Sequence, residues 1–247
     1  MILDTNGVQI HYEVHGSGEP LLWLHGFSGS GADWKHLIPE PPAGYQLIAP
    51  DLRGHGASSQ PAGAYLHRES AQDMLAILDH LAIEQVKIIG LSGGGIVGLH
   101  MSTAAPSRVA ALVAVSAPPY FPEQARAIQR VYSPAMLSER DMELLRGRTP
   151  RGEAQIEWLF AQVRGFAEST ESLDAADLAR ITAEALIVFG DRDPLYPLSI
   201  ACELHEAIPR SCLWVVPNGG HGPIFGPAAP QFIATAMAFL NGEWRPT

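Results

Sequence analysis

Six short apolar runs, at 20–24, 45–49, 86–89, 109–115, 185–189 and 212–216, constrain the fold of this 247-residue chain more than any other feature. Each is rich in Val, Ile and Leu and lacks the strict alternation of a strand with one wet face. This pattern predicts strands buried on both sides. Helical patterns fall between the runs. Ala71, Met74, Leu75, Leu78 and Leu81 recur at three- and four-residue spacing and mark one apolar helix face. A further helix is expected to start at Gly93 and a last one to cover 230–240. Strand and helix in alternation imply a mostly parallel sheet covered by helices on both sides. At the N-terminus, 2–3 and 8–14 flank Asn6-Gly7, a hairpin-turn dipeptide, which brings the expected sheet to eight strands.

The rhythm breaks once. From 119 to 180 no buried strand is visible, and charged residues occupy 18 of 62 positions against 24 of 185 elsewhere. The set Ile156, Trp158, Leu159, Phe160 and Val163 reads as an amphipathic helix. The expected organisation is a core of 1–118 and 181–247 with a helical insertion, 119–180.

Composition narrows the partners. A formal charge of −10 argues against nucleic acid or an anionic membrane surface. Cys202 and Cys212 are too few for a disulfide-stapled scaffold or a zinc site. No signal peptide and no apolar run of membrane-spanning length is visible. These features lead to the expectation of a cytoplasmic monomer or homodimer acting on a small molecule.

Four motifs carry chemistry. Gly90-Leu91-Ser92-Gly93-Gly94 is a G-x-S-x-G directly after one apolar run and at the start of a helix. A serine there sits on a sharp, strained turn, and the flanking glycines remove side chains that would collide. The Gly93 N–H then faces a developing oxyanion, favoured by the helix dipole. The plain alternative is a glycine-rich turn. His25-Gly26-Phe27 follows the run 20–24, where a second oxyanion donor is needed, and the Phe27 N–H is the candidate. His25 reads as a brace for the loop. Two aspartates, Asp191 and Asp193, follow the run 185–189, and either carboxylate is placed to orient a histidine. His221, in Asn218-Gly219-Gly220-His221-Gly222-Pro223, is the one histidine in a glycine-rich loop after the final run. His55, in Asp51-Leu52-Arg53-Gly54-His55-Gly56, reads as structural, with Asp51 and Arg53 pinning its loop. A G-x-G-x-x-G is missing from the first strand–helix turn, so neither a dinucleotide nor any other cofactor or metal is called for.

Together these motifs, in this order along essentially the whole chain, resemble the α/β-hydrolase superfamily, in particular its small capped esterases, enol-lactonases and perhydrolases. The resemblance implies nucleophile, acid and base in the chain order Ser92, Asp193, His221. It favours Asp193, because Gly190, Asp193 and Pro197 match the family's G-x-x-D-x-x-x-P, leaving Asp191 as a turn former. It implies that 119–180 is a helical cap over the active site. Haloalkane dehalogenases and epoxide hydrolases are similar but use an aspartate where this chain has Ser92. Carbon–carbon bond hydrolases carry Asn before the serine and Trp after the histidine, where this chain has Leu91 and Gly222. The expected substrate is a carboxylic ester of small to medium apolar groups. The alternatives are a lactonase or carbon–carbon bond hydrolase using the same three residues and, in another class, a ligand receptor without turnover on the same scaffold. Gly26, Phe27, Tyr120, Trp158 and Ile224 are expected to wall the pocket, with Phe121 and Phe160 as further aromatic candidates. Arg126, Arg130 and Arg164 are expected mainly to face solvent, a substrate carboxylate being the alternative.

Overall fold

The computed structural model describes residues 1–38 and 40–244, so Pro39 and 245–247 of the expected core lie outside the described residues. The chain forms strands β1 (Ile2–Thr5), β2 (Val8–Gly16), β3 (Glu19–Leu24) and β4 (Tyr45–Pro50), then helix α1 (His67–His80). Next come β5 (Val86–Leu91), α2 (Gly93–Ala104) and β6 (Val109–Val115). Helices α3 (Glu123–Arg130), α4 (Glu139–Arg148), α5 (Glu153–Phe166) and α6 (Ala175–Leu178) follow. The chain returns through β7 (Glu184–Gly190), α7 (Leu198–Ala207), β8 (Ser211–Val216) and α8 (Ala229–Leu240).

One eight-stranded sheet runs in the order β1-β2-β4-β3-β5-β6-β7-β8. The first two strands join antiparallel, and every pair from β4 through β8 is parallel. The expected mostly parallel sheet is therefore observed. The N-terminal hairpin closes on Asn6 and Gly7, both at positive φ (45° and 76°), as a primed turn requires.

The unbroken apolar runs follow from burial on both faces. In β7, Ala185, Ile187 and Phe189 enter the core layer under α1, α2 and α7. Leu186 and Val188 enter the opposite layer with Phe232 and Phe239 of α8. Each such Val, Leu, Ile or Phe removed from water contributes about 1.5–3 kcal/mol, which a half-exposed strand would not gain. Among the described residues no helix is long and apolar enough to cross a membrane.

The topology also fixes where a site forms. The chain leaves β3 outward to β4, then crosses back to place β5 on the other flank of β3. Strand order reverses between β3 and β5, opening a crevice beyond their carboxyl ends. The loops carrying His25 and Ser92 emerge there. Helices α3–α6 lie between β6 and β7, within the segment 119–180 expected to be a helical insertion.

Candidate active site

Ser92 stands between the last residue of β5 and the first of α2, at φ +51° and ψ −119°. A non-glycine residue at positive φ is strained and persists only where its surroundings hold it. The neighbouring glycines show how. A Cβ on Gly94 would lie 2.3 Å from the Leu24 oxygen and 2.5 Å from the His25 oxygen. A Cβ on Gly90 would lie 2.6 Å from the Gly94 oxygen. The turn is therefore packed backbone to backbone against β3 and its loop, and the Ser92 N–H donates to the Val115 oxygen at 2.7 Å.

The same packing brings two N–H groups together. The Cβ direction of Gly93 points to within 3.5 Å of the Phe27 nitrogen. Gly93 opens α2, so its N–H has no intrahelical acceptor. The N-terminus of α2 also carries the positive end of the helix dipole.

Asp193 and His221 are joined by a further close approach. A Cβ on Gly190 would lie 2.1 Å from the Gly219 oxygen, and the Arg192 N–H donates to that oxygen at 2.8 Å. The loops after β7 and β8 are thereby laid against each other. His221 Nδ1 lies 2.9 Å from Asp193 Oδ2, and His221 Nε2 lies 2.8 Å from Ser92 Oγ. Asp193 Oδ1 accepts the N–H groups of Leu195 (2.8 Å) and Tyr196 (3.2 Å), so its own turn fixes the carboxylate. The Asp193 side chain is fully buried, whereas that of His221 is 28% exposed. Asp191 is exposed, away from this chain of bonds. A hydroxyl, an imidazole and a buried carboxylate in series can pass a proton from the hydroxyl to the ring and stabilise the resulting cation.

The loop histidines are structural. His25 Nδ1–H donates to the Gly26 oxygen at 2.8 Å, while Nε2 accepts from the Leu52 N–H at 3.0 Å. His55 donates to the Arg53 oxygen and is completely buried. Burial lowers the pKa of both rings and keeps them neutral. Asp51 accepts the N–H groups of Gly31 and Ala57, and Arg53 is paired with Asp73 and Glu69, as the sequence suggests.

Above Ser92 lies a cavity of about 160 Å³, bordered by Phe27, Gly93 and His221. Its apolar wall comes from Ile96 of α2, Ile128 of α3, Val163 and Phe166 of α5, and the loop residues Phe121 and Leu195. Phe27 and Phe121 border this cavity, and the other residues expected at the pocket lie elsewhere. Tyr120 is turned outward, its hydroxyl donating to Glu203 at 2.8 Å, and its neighbour Phe121 takes the cavity side. The Trp158 indole lies over Gly54, where a Cβ would come within 2.2 Å of the ring; the bare glycine draws it onto the core. Ile224 is wholly buried in the layer under α8, on the other side of the sheet. Gly26 borders a neighbouring open pocket that shares Phe27, Ser28 and Tyr132 with the cavity. Phe160 stacks on Tyr132 among the inserted helices.

The arginines are committed elsewhere. Arg126 donates to the oxygens of Phe121, Ala167 and Ser169, and Arg164 to that of Tyr132. Arg130 pairs with Glu123 and Glu168 at the surface.

Sequence reasoning missed His67 and Gln129, both on the cavity wall. His67 Nδ1 lies 3.2 Å from Glu171 Oε2, a partner 104 positions away that no local pattern announces.

Comparison with known proteins places this geometry. A model of the alpha/beta hydrolase fold family matches residues 19–155. The chain belongs to that family. It is 30% identical to a 2-hydroxymuconate semialdehyde hydrolase of Pseudomonas sp., over 87% of this chain and 84% of that protein. It is 27% identical to a pimeloyl–acyl-carrier-protein methyl ester esterase of Vibrio vulnificus, over 87% and 91%. The solved structure of a meta-cleavage product hydrolase from Pseudomonas fluorescens superposes with a TM-score of 0.81 at 24% identity, covering 96% of each chain, a likeness of fold.

Proposed function

We propose that this hydrolase cleaves carboxylic esters of small acids through an acyl-enzyme on Ser92. The observation that carries the reading is the unbroken series Ser92 Oγ, His221, Asp193, at 2.8 and 2.9 Å, under a small cavity. His221 takes the Ser92 proton as Oγ attacks the carbonyl carbon, and Asp193 holds the ring in the tautomer that can do so. The Phe27 and Gly93 N–H groups receive the tetrahedral oxyanion, each supplying about 3 kcal/mol of barrier lowering. His221 then protonates the departing alcohol, and a water deprotonated by the same ring releases the acid. Helices α3–α6 act as the cap, and the neighbouring pocket beyond Phe27 and Tyr132 receives the alcohol. A lactone would follow the same steps.

Cavity size sets the acyl group. An engineered apolar cavity of about 150 Å³ takes up benzene, so about six carbon atoms fit here. Hydrolysis of p-nitrophenyl esters from acetate to octanoate should peak at four to about six carbons, and Ser92→Ala should abolish it. Turnover that persists in Ser92→Ala would reject the assignment. The alternative of carbon–carbon cleavage draws on the 30% identity to a 2-hydroxymuconate semialdehyde hydrolase. Ring-cleavage diketones turned over faster than every ester would favour it.

A further inference from the structure

The cavity wall is mostly apolar, yet two of its polar residues are arranged in ways the hydrolytic steps do not use. The first is His67, the opening residue of α1, with 1% exposure. Leu66 at the N-cap has no side chain to satisfy the first N–H groups of α1, and Glu171 does so from the inserted segment. Its Oε2 accepts the His67 N–H at 3.1 Å and its Oε1 the Arg68 N–H at 3.2 Å. The same carboxylate faces His67 Nδ1 at 3.2 Å. In the neutral ring Nδ1–H is thereby committed to Glu171, and Nε2 is left as an acceptor. Nε2 lies 3.7 Å from the point to which the Gly93 Cβ direction leads, the same point that is 3.5 Å from the Phe27 nitrogen. An acceptor is thus held beside the two N–H groups assigned to the oxyanion.

The second residue is Gln129, near the end of α3. It is 5% exposed, and its Oε1 is buried with no hydrogen-bond partner among the described residues. Of the residues with a buried polar atom in that state, Gln129 is the one that borders the cavity. Leaving an amide oxygen unpaired costs stability, and an apolar side chain of similar size would avoid the cost. A polar group retained under those terms is accounted for by a partner that arrives with the substrate.

We propose that His67 Nε2 and Gln129 Oε1 form an accepting subsite that selects acyl groups bearing a hydroxyl close to the ester carbonyl. The inference rests on the ester-hydrolase reading for the identity of the acyl group. The hydroxyl donates its proton to one acceptor while the carbonyl oxygen sits on the Phe27 and Gly93 N–H groups. A methyl group in its place leaves both acceptors dry and unpaired, the situation in which sites built for a hydroxyl discriminate most strongly.

The test uses matched phenyl esters of 2-hydroxybutanoate against 2-methylbutanoate and of 3-hydroxybutanoate against 3-methylbutanoate, with the half-ester of succinate as a charged probe. Binding is measured on Ser92→Ala protein, so that no ester is consumed. At least one hydroxyl ester should bind roughly tenfold or more tighter than its methyl partner. Adding Gln129→Leu or His67→Phe should collapse that ratio towards one. Gln129→Leu leaves the His67–Glu171 contact in place, so it keeps the test sound should His67→Phe fail to fold. It should also raise the Tm by about 2–4 °C by removing the unpaired oxygen. Ratios near one, ratios unmoved by both substitutions, or tightest binding of the succinate half-ester would overturn the proposal. Turnover is read separately on protein retaining Ser92: no hydrolysis with the binding ratio intact would reject the esterase reading and leave the subsite standing.

Discussion

Two histidine–carboxylate pairs border the same cavity, and they are built differently. Asp193 and His221 come from the neighbouring loops after β7 and β8, and the carboxylate is held by N–H groups of its own turn. His67 and Glu171 join the start of α1 to the inserted segment, and there the carboxylate doubles as the cap of a helix. The His221 side chain is 28% exposed and its Nε2 meets the Ser92 hydroxyl at 2.8 Å. The His67 side chain is 1% exposed and borders the cavity, and no hydrogen bond to its Nε2 is present among the described residues. The same two functional groups therefore have different uses according to what the free ring nitrogen faces. Beside a hydroxyl on a strained turn the pair can move a proton; beside empty space it can only receive one from a ligand.

Breaking the first pair should have the larger effect. Asp193→Asn leaves the shape intact but removes the acceptor that fixes the His221 tautomer, and kcat should fall by about 10⁴ with little change in Tm. A loss of only a few-fold in steady-state assays would mean that the two pairs do not differ as described.

Glu171→Gln acts on the second pair, chiefly through stability. It weakens the cap of α1 and the tie between insertion and core, and should cost about 1–2 kcal/mol in denaturant unfolding. The effect depends on pH with a definite sign. Burial works to raise the Glu171 carboxyl, but the hydrogen bond and charge of His67, with the N–H groups of Arg68 and His67, outweigh it. They hold the pKa at about 2 against an ordinary 4.5. A carboxyl lowered on folding contributes stability that is complete above about pH 4.5 and is lost as pH falls towards 2. The gap between wild type and Glu171→Gln should be widest near neutrality and close across that window. A gap that stays unchanged down to pH 2 would contradict the hydrogen bonds assigned to Glu171.

The two pairs also differ in how far the sequence reveals them. Ser92, Asp193 and His221 each follow an apolar strand run and sit among glycines, because backbones must touch where Gly94 meets Leu24 and Gly190 meets Gly219. Such contacts leave a mark in the sequence, since no other residue fits. The sheet is legible for the same kind of reason: strands buried on both faces have no polar positions. The cavity wall is not. Which side of α5 faces Ser92 is decided by Trp158 settling on Gly54, a contact between residues 104 positions apart with no motif at either end. Tyr120 leaves the cavity wall to Phe121 because the Tyr120 hydroxyl finds Glu203 at the surface. The link from Glu171 to α1 is equally remote in sequence, and Gln129 is one polar residue in a charged helix.

The most direct measurement of the central claim is the mass of the protein quenched during turnover of p-nitrophenyl butanoate, with peptide mapping of any adduct. The account predicts one butanoyl group on the peptide carrying Ser92, enriched in the early phase and missing from Ser92→Ala. An adduct on another residue, or turnover by Ser92→Ala, would contradict it.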